Sequence, residues 1–226
     1  MGLFKKLFGK RQRQSDLMQG PVEYQGKVFK NGVELGMYQE NSFGYKEMRD
    51  SLDYQNELLS SVNDANEKYK ADGDLNSLIQ AYENAFFYAD PPCKSSQNLK
   101  LVDYYMKAGW NDKAWAYTNF LFTKQEAPLE KIRFAQARIL KKEGRHSDAV
   151  EYYMLGHLAK AKWNNTFHRD MFLKDIRPCA NKLHWSESES EYLADVLQSQ
   201  IEKRRYDEGI VTKDYREFIA SVSQER

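Results

Sequence analysis

The chain has 226 residues, 41% of them apolar and 30% charged, with a mean hydropathy of −0.81 and a formal net charge of +1. That length suits one long or two short domains with a packed core, and the balanced charge argues against wholesale nucleic-acid binding, which needs a basic excess. No apolar run approaches the ~18 residues of a spanning helix, no secretory signal core follows the N-terminal charges, and Cys93 and Cys179 stand outside any C-x-x-C pair, so free thiols in the cytoplasm are expected.

Residues 1 to 14 read MGLFKKLFGKRQRQ. Leu3, Phe4, Leu7 and Phe8 fall on one helical face. Lys5, Lys6, Lys10, Arg11 and Arg13 supply the charge. Such a segment predicts weak, reversible contact with an anionic membrane surface at its inner face, each cation contributing roughly 1 kcal/mol. It equally suits a solvated leader, since undocked termini order poorly. Myristoylation at Gly2 is rejected because Lys6 stands where Ser or Thr is needed.

Residues 15 to 44 lack helical periodicity. Val22-Glu23-Tyr24 and Lys27-Val28-Phe29 alternate as strands do. Asn31-Gly32, between Lys27–Lys30 and Val33–Gly36, suits a type I′ turn. A small N-terminal β-hairpin and an extended linker both fit this segment.

From about Tyr45 the pattern is helical. Met48, Leu52, Leu59, Val62, Ala65 and Tyr69 predict a long helix to Ala71. Gly73 ends it as a left-handed cap. Asn76 or Ser77 then caps a helix carrying Leu78, Ile79, Tyr82, Ala85, Phe86 and Tyr88, which Pro91-Pro92 stops. A second round has Leu99, Leu101, Val102, Tyr105 and Met106, then Gly109, then a helix capped by Asn111 or Asp112. That helix carries the stripe Trp115, Tyr117, Phe120 and Phe122, read as core between repeats. A third round runs from Ile132 to Leu140, turns at Gly144, and resumes at Ser147 with Ala149, Val150, Tyr153, Leu155 and Leu158. The turn glycines fall 36 and 35 residues apart, from 73 to 109 to 144, and turns this short make each helix pair antiparallel.

These rounds resemble the tetratricopeptide repeat, a unit of about 34 residues. Glycine sits at its turn. A small residue follows five later, matched by Ala114 and Ala149, and an aromatic precedes by four, matched by Tyr69 and Tyr105. Tyr82 and Tyr153 match the large residue nine after the turn, Ala85 and Gly156 the small one twelve after, and Pro91 and Pro128 the closing proline. Leu78, Thr118 and Leu121 depart from the pattern. The likeness covers about residues 59 to 162 and implies an all-α, right-handed solenoid of antiparallel helix pairs over 45–163. A fourth turn is due near residue 179, where Pro178-Cys179 stands instead. Residues 164–226 therefore read as capping helices, opened in part by a Ser186–Glu189 capping box.

No catalytic constellation emerges. His146, His157, His168 and His184 lack the i, i+4 spacing of a helical metal site. Phosphate loops and nucleophile motifs are absent. The reading is of a non-enzyme without metal or cofactor.

In the family resembled, the first helix of each repeat lines a groove. By that implication the contact residues are Lys131, Phe134, Arg138, Lys141 and Lys142 in the third repeat. In the second they are Leu99, Asp103, Met106 and Lys107. The groove would have a basic end and an apolar floor of Phe134, Leu99 and Met106, suited to a protein or acidic peptide partner. The family's chaperone-tail clamp fits poorly: Lys131 matches one clamp position, whereas Glu67 and Ala135 do not match theirs. The expected function is an interaction adaptor; the alternatives are a regulatory or nucleic-acid-binding repeat protein using the same strip, or a solvated helix face that binds nothing.

Overall fold

The computed structural model describes residues 22–24, 27–29, 43–89, 92–93 and 95–224, with side chains from residue 52 onward. The chain divides into two units, Met1–Ser60 and Ser61–Arg226. In the first, β1 (Val22–Tyr24) pairs antiparallel with β2 (Lys27–Phe29), Val22 lying opposite Phe29. The expected Asn31-Gly32 turn and residues 1 to 14 lie outside the described residues. Helix α1 (Phe43–Asp72) begins in this unit, where its Leu52 and Tyr54 are exposed.

The second unit is helical. After the end of α1 come α2 (Leu75–Glu83), α3 (Lys100–Lys107), α4 (Asn111–Lys124) and α5 (Leu129–Lys142), then α6 (His146–Asn164), α7 (Arg169–Lys182), α8 (Glu187–Glu202) and α9 (Glu208–Gln224). α2 runs on into a π-helical turn, Asn84–Tyr88, in which the Ala89 amide donates to the Asn84 carbonyl at 3.1 Å. Such a slip of hydrogen-bond register lets one extra residue into a helix.

Left-handed residues make the reversals. Gly73, Gly109 and Gly144 have φ of +76, +79 and +77°, a region that costs residues with a Cβ. After Gly109 and Gly144 the next amide reaches back six residues inclusive, Trp110 to the Tyr105 carbonyl at 2.8 Å and Arg145 to that of Leu140 at 3.0 Å. This is the Schellman closure, which satisfies carbonyls a helix end leaves open. It recurs without glycine at left-handed Gln125, His184 and Arg204, through Glu126 to Leu121, Trp185 to Ala180 and Arg205 to Gln200.

As the loss of the repeat glycine implies, no turn stands at Pro178-Cys179. α7 runs through the exposed Pro178 to Lys182, and the fourth turn falls at Leu183-His184. The cause is α6, whose 19 residues exceed the 14 of α4 and push the turn later. The caps also differ. Asp74 caps α2, accepting from the Ser77 amide at 3.0 Å. Hydrogen bonds from Ser77, helped by Lys68, hold the Asp74 pKa down to about 2. α4 and α6 start at Trp110 and Arg145 with no side-chain cap. The Ser186–Glu189 capping box is present at the start of α8.

From α2 onward each helix packs on its chain neighbours, and α6 also takes α8 and α9. Residues 153–159 of α6 are therefore all buried, as in any helix covered on every side. Around it gather Phe172, Ile176, Leu193, Leu197 and Tyr215. Polar links hold α9 in place: the Tyr215 hydroxyl donates to the Ser147 carbonyl at 2.7 Å, and Arg133 donates to Glu208 at 2.6 Å. Upstream, the core is aromatic. Tyr82, Phe86, Tyr105 and Tyr117 are buried, and Tyr105 donates to Glu83 at 2.7 Å. Within the Trp115-to-Phe122 stripe, Tyr117 is buried, Trp115 and Phe120 are half-buried, and Phe122 is 49% exposed. Five residues beyond Tyr117, Phe122 lies about 140° round the helix and leaves the core.

Candidate partner-binding face

α1, α3 and α5 each open a helix pair, and their side chains meet in register. The Tyr104 hydroxyl on α3 donates to Asn66 on α1 at 3.3 Å. Lys107 donates to the Tyr69 hydroxyl and lies 4.8 Å from that ring's centroid. One step along, Arg138 on α5 donates to Asp103 at 2.8 Å, and the Lys142 ammonium donates to the Met106 carbonyl. These contacts make one polar face across three helices.

The expected contact residues divide. Asp103, Lys107, Lys131 and Lys142 are exposed, and Arg138 and Lys141 are half-buried. Leu99 precedes α3 as its N-cap and is half-buried. Met106 is buried. Phe134 turns to α6, where its ring lies 5.1 Å from that of His157 and closes on Gly156. The floor expected from Phe134, Leu99 and Met106 is thus largely covered by protein. Of the cations, Lys107, Arg138 and Lys142 are engaged within the fold. Lys131 and Lys141 make no ion pair among the described residues. The cross-helix contacts hold Lys107, Arg138 and Lys142 in place across α3 and α5.

His157 is buried, its Nε2 2.9 Å from Asp175 Oδ2. His146, His168 and His184 sit at helix ends or turns. Burial pushes the Cys93 and Cys179 thiols up, which disfavours the reactive thiolate. Among the described residues no group of three or more His, Cys, Asp and Glu side chains is placed to hold a metal ion, and no helix is long and apolar enough to cross a membrane.

Sequence reasoning missed a second surface, a cleft between the α4–α5 connection and the end of α6 that includes Phe122 and Trp163. Its one visible signal was Trp163, a large aromatic set in the polar run Lys162 to Asn165. No protein-family profile, curated protein or solved structure matches the chain.

Proposed function

We propose that this protein is a non-catalytic interaction adaptor, a right-handed stack of antiparallel helix pairs like tetratricopeptide repeats, whose α1–α3–α5 face takes an acidic peptide or protein segment. The observation that carries the reading is the cross-helix chain of contacts from Tyr69 and Lys107 to Asp103, Arg138 and Lys142, which holds three cationic side chains on the helices that open successive pairs, with Lys131 and Lys141 also on α5. The left-handed glycines support the repeat, as do buried Ala114 and Ala149 and the approach of Phe134 to Gly156. The proposed setting is the cytoplasm, with residues 1 to 14 as a contact to anionic membrane.

Affinity capture with mass spectrometry tests it, comparing the native chain with Lys131→Glu/Lys141→Glu. These two cations take no part in ion pairs among the described residues, so reversing them should spare stability and weaken capture of a true partner about tenfold. An identical set of captured proteins from both chains would refute the proposed face.

A further inference from the structure

A cleft of about 1020 Å³ opens where the α4–α5 connection meets the end of α6. Ala127, Pro128, Leu129, Ile132 and Ala159 line it, together with Phe122 and Trp163, the latter 80% exposed. Ile132 and Ala159 are buried, so Phe122 and Trp163 are the large apolar side chains the cleft leaves in water, and Trp is among the strongest interface anchors. Arg133 packs on the Phe122 ring at 5.3 Å, holding it in place.

The electrostatics select the occupant. Glu126 and Glu130 line the cleft against one base, Lys162. Among the described residues Glu130 Oε2 is buried with no protein hydrogen-bond partner, a state that costs free energy. Two helices, α4 and α6, end here at Gln125 and Asn165, and one, α5, begins. Helix C-termini carry partial negative charge and N-termini partial positive charge, so the helix ends add to the acids. An anionic membrane surface would be repelled. The volume lies at the top of the range for small-ligand sites, and the opening to solvent suits side chains of a peptide better than an enclosed small molecule.

We propose that this cleft docks an amphipathic, cationic segment of a protein partner. Its apolar side chains pack between Phe122 and Trp163, and a Lys or Arg bonds the Glu130 carboxylate. The adaptor then presents two surfaces of opposite charge, and this one stands independently of the basic face.

The test uses the full chain and a fluorescein-labelled helical peptide of about 16 residues, Leu and Phe on one face and Lys on the other, beside its Lys→Glu counterpart. Fluorescence anisotropy should show the Lys peptide binding at least about tenfold tighter than the Glu peptide. Trp163→Ala and Glu130→Gln should each weaken it about fivefold or more, whereas Lys131→Glu/Lys141→Glu should not. Circular dichroism verifies that each variant is folded. Equal binding of both peptides, no binding at roughly 100 µM protein, or indifference to both cleft variants overturns the proposal. So does self-association in sedimentation that Trp163→Ala abolishes, which assigns the cleft to a second copy.

Discussion

Gly156 is the sharpest test of how α5 and α6 fit. A Cβ there would lie 2.6 and 2.7 Å from two carbons of the Phe134 ring and 3.2 Å from a third. Carbons in contact sit about 3.5–4.0 Å apart, so the ring would have to retreat by about 1 Å. Its retreat is limited, because Tyr153 and His157 stand at centroid distances of 6.4 and 5.1 Å. Overpacking of this kind costs about 1–3 kcal/mol. Against it, alanine in mid-helix is favoured over glycine by about 1 kcal/mol. Gly156→Ala should therefore destabilise by about 1 kcal/mol net, lowering Tm by about 2–4 °C in a domain of this size. Thermal unfolding followed by far-ultraviolet circular dichroism measures it. The companion variant is Gly156→Ala in a Phe134→Ala background, where the new methyl meets no ring and only the helix preference remains. There the same change should raise Tm. A Tm increase from Gly156→Ala alone, with Phe134 intact, would refute the close approach.

Two further outcomes follow from the core. Burial pushes the phenols of Tyr105, Tyr117 and Tyr215 far above their usual range and that of Tyr153 up to about 12. An unfolded tyrosine ionises near pH ~10, so above that pH only the unfolded state releases the proton. Stability is then full below about pH 10 and falls above it, by about 1.4 kcal/mol per pH unit for each such tyrosine. Tyrosinate absorbance should rise first for exposed rings, then again together with loss of ellipticity; a single step for all 15 tyrosines with ellipticity retained contradicts this. At the other end of the core, the Arg133 side chain is 14% exposed and Glu208 35%. Glu208→Gln removes the charge and one of the two acceptor oxygens that Arg133 bonds, and should loosen α9 by about 1–2 kcal/mol. Hydrogen exchange should quicken over residues 208–224 and not in α7; uniform exchange across the helices would locate the anchor elsewhere.

The helices were legible in the sequence where one residue type alone encodes the geometry. Gly73, Gly109 and Gly144 reveal their turns because glycine enters the left-handed region without a Cβ clash. Gln125, His184 and Arg204 adopt the same conformation at a cost of roughly 1–2 kcal/mol each, offset by the Schellman bonds and by packing behind them. Nothing in their identity announces it. Pro178 stands inside α7 without ending it. Near the end of the helix it removes one hydrogen bond, and the buried Cys179 and Ala180 beyond it keep the last turn in place. Side-chain direction was the least legible feature. Helical spacing groups Phe134 with Arg138 and Lys141, but it cannot say that α6 has a glycine opposite that ring.

The internal bonding of the basic face limits what a ligand there can gain. A carboxylate arriving at Arg138 must displace Asp103, exchanging one exposed ion pair for another, and such pairs are worth about 0–1 kcal/mol. At Lys142 it must displace the Met106 carbonyl. New attraction comes mainly from Lys131 and Lys141, and exposed charges are screened over about 8 Å at physiological salt. The proposed acidic partner should accordingly bind modestly and lose affinity as salt rises. The cleft differs in kind. Trp163, 80% exposed, surrenders apolar area that water now covers, and Glu126 and Glu130 add their charge beside it. Binding there should depend less on salt, because apolar burial carries most of the free energy. The salt dependence of the two interactions, measured on one protein, therefore separates the two surfaces even before either natural partner is identified.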